Sequence, residues 1–344
     1  MSKKIGIIGA GNRVTTLYMP LLKKMHLDVV GFYTTNRRHN AENVQIWSGF
    51  TFFSQLDALL DQHPDILMVA IDPDALLNLL NQLEVRKFNG ILLCDTPAKF
   101  IEINERLRHV TFKVGVLEQW PYLPLEQFKR KVIDSGVIGD IVFSENDFRT
   151  FDYHGIAQLR SYHAEKIPKT ITGHIHLDEM MSGISGQLAQ KRNEIWDIVT
   201  LKFANSIALH KFNYEFKKSS TRSPQSIKVF GKAGSIFTQA LRQKSNDTET
   251  VMLTYIDSSG TVISEDVDIW KQEDRIVKIV SSVVEWNSPD MQLTDHEVGI
   301  HLHLTTALDG NILYTYEDAL LDYHLFMLAR QSAQNQGMPV ALGR

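Results

Sequence analysis

The stretch Ile5-Gly6-Ile7-Ile8-Gly9-Ala10-Gly11-Asn12-Arg13 decides how the rest of the chain is read. A short apolar run ends in Gly-x-Gly and passes into Val14–Met25, where apolar residues recur at helical spacing. Gly9 permits a tight turn, and Gly11 lets the backbone approach a pyrophosphate held at the helix N-terminus. The third glycine of the full fingerprint would fall at Val14, so the motif is incomplete and depends on its context.

The context supplies what the motif lacks. Strand-like runs follow at Val29–Tyr33, Ile66–Ile71, Ile91–Cys94 and Phe112–Leu117. Helical patterns separate them at Ala41–Trp47, Gln55–Asp61 and Ala75–Val85, with another at Phe100–Arg108. Such apolar runs suit strands covered on both faces, and their alternation with helices predicts a parallel sheet with right-handed crossovers. Gly9, Gly11, Asn12 and Arg13 thereby become candidate cofactor contacts. The second strand ends Tyr33-Thr34-Thr35-Asn36-Arg37-Arg38, with no acid to grip a free ribose 2′-hydroxyl. Small hydroxyls followed by arginines suit a 2′-phosphate, so Thr34, Thr35 and Arg37 favour NADP over NAD.

The second half reads differently. Asp140–Phe148, Trp196–Phe203, Ser206–Phe216, Ser226–Phe230, Thr250–Ile256 and Gly260–Val267 alternate or carry β-branched residues, as strands do. Gly231-Lys232-Ala233-Gly234 reads as a turn between strands, and Tyr316–Ala333 as a packing helix stopped by Gly337-x-Pro339.

At 344 residues the chain is long enough for two domains, each with its own core. A net charge of −4 gives no broad cationic field, so nucleic acid is not expected as a partner. The single cysteine, Cys94, excludes an intrachain disulfide, fits a reducing compartment and closes an apolar run, as a buried structural thiol would. No run approaches the ~18 apolar residues of a membrane span. The expectation is therefore a cytoplasmic protein without a membrane partner. His174-x-His176 and His301-x-His303 lack the spacing of a hydrolytic zinc site, so no metal is expected.

Taken in order, several stretches resemble the glucose–fructose oxidoreductase, inositol dehydrogenase and MocA (Gfo/Idh/MocA) family. They are the Gly-x-Gly start, HPDILMVAIDPDA (63–75), GILLCDTPAKF (90–100), VGVLEQWPYLP (114–124), IDSGVIGDI (133–141), GHIHLDEM (173–180), VFGKAGSI (229–236) and RQSAQNQGMPVAL (330–342). The resemblance implies an α/β chain with an N-terminal Rossmann domain at 1–121. It also implies a C-terminal α/β domain at 122–344 with a large, mostly antiparallel open sheet that covers the nicotinamide and holds the substrate. The implied activity is NAD(P)-dependent hydride transfer to or from a sugar-like or other small polar carbonyl or alcohol, in a homodimer or homotetramer.

The same resemblance brings out two departures. Where the family has Glu-Lys-Pro, this chain has Asp95, Thr96 and Pro97, so the lysine that polarises the substrate alcohol is replaced by a neutral hydroxyl. Thr96 suits an N-cap with Pro97 at the first helical position, and Lys99 would then offer a cation in the first turn. The family's Asp-x-x-x-His, opening a helix, aligns its histidine with His176 but its aspartate with Thr172. His176 and Tyr153 are the candidate proton carriers, with Thr96 and Lys99 as candidate polarising groups. Asp95, Pro97 and Glu118 join the cofactor contacts. Gln119 and Trp120, after the last strand of the first domain, are candidate substrate contacts with His154, Arg160 and His174. In the stretch 148–163, Tyr162 and His163 are further polar candidates, and Arg160 could clamp a carboxylate or phosphate. The alternative function is a nucleotide-bound sensor or regulator that keeps the fold without catalysis.

Overall fold

The computed structural model describes residues 3–35, 49–97, 106–107, 109–134, 136, 138–182, 190–213, 226–238, 248–256, 262–270 and 293–342. Candidates Arg37 and Lys99, and the expected helices at Ala41–Trp47 and over most of Phe100–Arg108, lie outside the described residues. The chain packs as two compact units. One is Met1–Leu123 with Trp286–Leu321; the other is Pro124–Glu285 with Asp322–Arg344. The sequence reading placed everything after residue 121 in one second domain. The difference is the return of residues 293–321 to the first unit, a packing event between segments far apart in the chain.

The first unit holds six parallel strands: β1 (Lys4–Ile8), β2 (Asp28–Tyr33), β3 (Phe52–Phe53), β4 (Ile66–Val69), β5 (Ile91–Cys94) and β6 (Lys113–Val116). Their order is β3-β2-β1-β4-β5-β6, the doubly wound order in which the sheet grows both ways from β1 and β4. β4 and β5 are buried along their whole length, because helices cover both faces of a parallel sheet. A π-helical turn, Val14–Tyr18, precedes the α-helix Met19–Lys24. Helices Leu56–Leu60 and Pro73–Val85 make further crossovers. The returning helix Asp295–Leu308 opens with a capping box between Thr294 and Glu297. It inserts Val298, Ile300, Leu304 and Ala307 into the same core as Ile5, Ile7, Met68 and Leu93.

The second unit carries β7 (Ile141–Asp147), β8 (Thr170–Ser182), β9 (Gln190–Lys202), β10 (Ile207–Phe212) and β11 (Ser226–Gly231). They are followed by β12 (Gly234–Thr238), β13 (Thr248–Ile256), β14 (Val262–Trp270) and β15 (Val340–Ala341). The order is β13-β14-β12-β11-β7-β10-β9-β8-β15, and only the β7–β10 pair is parallel. One face buries Ser144, Asn146, Val199, Leu201, Ala208, His210, Phe212, Ile227 and Val229. Helix Asp152–Arg160 lies directly on that face: a Cβ added to Gly155 would stand 2.3 Å from His210 Cε1. Gly155 is therefore a close-approach position, and any side chain there would push the helix off the sheet.

Two expectations are corrected here. The polar candidates of 148–163 are not gathered to face a ligand together. The centre of that stretch is a helix whose residues Tyr153 and Gly155–Arg160 are buried, with Thr150 donating to Gln158 and Arg160 paired to Asp322 inside the unit. His174 and His176 do not open a helix; both lie on β8, facing Ile198 and Trp196 across the antiparallel pair with β9. The alternation of Ile171, Ile175 and Leu177 with Thr172, His174 and His176 is the period of two that places them there.

Candidate active site

The strand order reverses between β1 and β4, and a crevice opens at the carboxyl ends of these strands. Gly9 adopts φ +109°, and a Cβ at that position would lie 2.1 Å from the Ala70 carbonyl oxygen. Only glycine fits this turn against the end of β4. Two residues on, a Cβ at Gly11 would meet no atom of the described residues within 4 Å outside its own helix and chain neighbours, so among them the space above the helix start is open to a ligand. A cleft of ≈ 400 Å³ runs from Gly9, Ala10 and Gly11 to Thr34 and Thr35 at the end of β2, and to Asp72, Asn78 and Gln82 beyond β4. Leu56, Ile71, Ala75 and Leu79 give it apolar walls. The groups present fit a nucleotide: backbone N–H groups at a helix start for phosphate, and apolar walls for a base.

The far side of the crevice is built on the ends of β5 and β6. Arg13 leaves the helix start and reaches across, its Nε donating to Asp95 Oδ1 at 3.0 Å and its Nη2 to Gln119 Oε1. Tyr18 donates to the same Asp95 oxygen. Burial first, and then the neighbouring Asp95 carboxylate, hold the Tyr18 phenol well above its ordinary pKa, so it remains a donor. Burial followed by Asp95 likewise pushes the Cys94 thiol up to about 12, which makes it inert. Glu118 is buried; its carboxylate accepts from the Trp120 backbone N–H at 3.2 Å, and its carbonyl contacts His303 Nε2 at 2.9 Å. His303 is depressed to about 4, chiefly by burial. Thr96 is half-buried and Pro97 buried.

In the second unit a polar cluster gathers where helix Asp152–Arg160 begins. Asp152 has φ +47°, a left-handed conformation that costs a non-glycine residue about 1 kcal/mol or more. The Tyr153 ring lies 4.1 Å from His154 and 6.2 Å from Tyr323 on helix Tyr316–Gln334. Asp197, buried on β9, pairs with Arg330 at 2.7 Å. Burial pushes the Asp197 carboxyl up to about 6; Arg330 opposes the shift and Asp152 adds to it.

The remaining candidates are placed elsewhere. Arg160 is bound to the Asp322 carboxylate, both side chains being nearly or wholly buried, and also donates to the Lys166 carbonyl, so it is a structural pair and not a clamp for ligand. Tyr162 donates to the buried Glu126, and His163 is bracketed by Ser144 and Ser206 at 2.8 and 2.6 Å. His176 is 74% exposed and lies 3.8 Å from Asp178, and His174 is exposed as well. Among the described residues no three His, Cys, Asp or Glu side chains gather as metal ligands, and no helix is long and apolar enough to cross a membrane. Sequence reasoning missed Tyr18, Asp197, Arg330 and Tyr323. Asp197 carried a signal, since it shares strand parity with the buried Val199 and Leu201.

No protein-family model and no curated protein matches the sequence. Solved structures do match in shape. An oxidoreductase from Agrobacterium radiobacter, in complex with NAD+, L-tartaric acid and magnesium, superposes with a TM-score of 0.66 at 15% identity, covering 99% of this chain and 98% of that one. The WlbA dehydrogenase from Bordetella pertussis, in complex with NADH and UDP-GlcNAcA, gives 0.65 at 14% identity over 100% of both chains. An oxidoreductase from Thermotoga maritima gives 0.63 at 16% identity, covering 99% and 98%. At such identities the likeness establishes a shared two-domain α/β fold.

Proposed function

We propose that this chain is a nicotinamide-dinucleotide oxidoreductase of the Gfo/Idh/MocA type, acting on a sugar-like or other small polar carbonyl or alcohol. One observation carries the proposal: the open space over Gly11, at the switch point of a doubly wound sheet, with Gly9 locked against β4. The bound nicotinamide would supply or accept the hydride. In this reading the amides around Gly11 hold the pyrophosphate, and Thr34, Thr35 and the walls of the cleft hold the adenosine. Asp95, Thr96, Gln119 and Trp120 border the reacting end. NADP is favoured on Thr34, Thr35 and Arg37. Two of the similar folds were solved with NAD+ or NADH together with an acidic ligand, which supports both the cofactor class and a polar substrate. For the proton, half-buried His154 beside Tyr153 is favoured over the exposed His176.

Titration of the protein with NADH and NADPH, followed by turnover against aldoses, sugar acids, inositols, ketones and imines, tests the proposal; binding of neither dinucleotide refutes it. A second reading, a sensor that binds the dinucleotide without turnover, is favoured by one feature, the neutral Thr96 in place of a lysine. Tight binding with no turnover across the panel would select it. We further propose self-association through the outer face of the second sheet. There Ile198 and Ile207 are about two-fifths exposed, next to a row in which Lys211 and Lys228 alternate with Glu145 and Asp147. Such a row is self-complementary about a two-fold axis, and a monomeric mass in solution would count against it.

A further inference from the structure

The geometry points to Arg13 as the positive charge of the reacting half of the crevice, facing an anion beside nicotinamide C4; this rests on the dinucleotide reading. An arginine in the first turn after Gly-x-Gly could be expected to sit over the pyrophosphate. Here it is drawn across the switch point to Asp95, at the end of β5, and to Gln119, just after β6. In a doubly wound sheet those ends belong to the second mononucleotide, away from the cleft at Thr34 and Thr35.

The guanidinium is held rather than consumed. Of its five N–H donors, Nε serves Asp95 and one Nη2 hydrogen serves Gln119, while Nη1 has no acceptor among the described residues. Both anchors are themselves fixed: Asp95 by Tyr18, and Gln119 by burial to 5% exposure. Arg13 nonetheless keeps 34% of its side-chain surface exposed. A planar donor group fixed on one side and open on the other is preorganised to receive an oxyanion. Thr96, the chain neighbour of Asp95, brings a hydroxyl and no charge.

Sulfite tests this without a known substrate. It adds to C4 of bound NAD+, forming a carbon–sulfur bond while a ring electron pair moves onto the nitrogen, and the adduct is read by its near-ultraviolet absorbance. Arg13→Gln should weaken sulfite affinity at saturating NAD+ about tenfold, while ADP-ribose affinity by calorimetry changes less than about twofold. Arg13→Lys should recover most of the sulfite affinity. Gln119→Glu, which keeps the arginine but adds a negative charge beside it, should weaken the adduct in the same direction. Equal losses of ADP-ribose and sulfite would make Arg13 a phosphate ligand, and no change in either would make it a structural clamp. Each outcome overturns the inference, as does a wild-type protein that binds NAD+ without forming the adduct. In all three cases the dinucleotide reading stands. Wild-type protein that binds no dinucleotide removes that reading and this inference together.

Discussion

The crevice of the first unit and the polar cluster of the second solve the same problem, placing charge near a cavity or helix start, by opposite routes. In the first unit the placement is local: Gly9, Gly11 and Arg13 lie within five residues, and the turn aims them. In the second, Asp197 and Arg330 are 133 positions apart and meet only because the last helix packs near β9. Short-range motifs therefore advertise the first site, while the second exists only in the folded unit.

The largest effect that would test this contrast is at Arg160. If it belongs to the fold of the second unit, Arg160→Met should cost about 3–5 kcal/mol in denaturant unfolding, because a buried ion pair loses its cation while the Asp322 carboxylate stays inside. A normally stable variant with impaired ligand binding would return Arg160 to the site. Next, Gly9→Ala should destabilise by about 3 kcal/mol through backbone strain and the clash at Ala70, and should abolish dinucleotide binding. Retained binding would break the assignment of the crevice.

A smaller effect is a pH slope. The folded-state pKa of Asp197 lies above its ordinary value of 3.8, at about 6, so the native state holds that proton longer than the unfolded chain. Its contribution to stability is present below the ordinary value and is lost as pH rises through about 6. His163 and His210, depressed to about 4 and about 3 by burial, act in the opposite sense and lose stability as pH falls below 6.5. Asp197→Asn should therefore make stability rise more steeply with pH between about 4 and 6. An unchanged slope would show that Asp197 titrates normally. The smallest effect is expected at His176, where replacement by Ala should change stability by less than about 0.5 kcal/mol. A lost turnover in that variant, with His154→Ala active, would reverse the order of the two proton-carrier candidates.

Much of the fold was legible because burial writes itself into apolar runs: Ile91–Cys94 is the strand its composition announces, and β1, β2 and β4 lie within a few residues of their expected limits. The helix Asp152–Arg160 was not legible as a buried element. Gln158 and Arg160 look solvent-seeking in sequence, yet both are buried, with Thr150 donating to Gln158 and Arg160 paired to Asp322. Periodicity reports hydrophobic faces and cannot report a face satisfied by polar partners from other segments. The placement of His176 failed for another reason. Family alignment displaced a strand alternation that was present in the residues themselves.

The return of residues 293–321 to the first unit, and of the last segment to the second, leaves both units discontinuous, with the backbone passing between them three times, at 123/124, 285/286 and 321/322. The N-terminal 121 residues are therefore an incomplete unit without residues 293–321. In their absence β6 loses the bridge from Gly115 to Thr315 and the hydrogen bond from Val116 to the Tyr314 carbonyl. The core loses Val298, Ile300 and Leu304 as well. A naked parallel edge beside an uncovered apolar surface is a template for aggregation. A stand-alone version of this first unit would need the distant segment spliced back on.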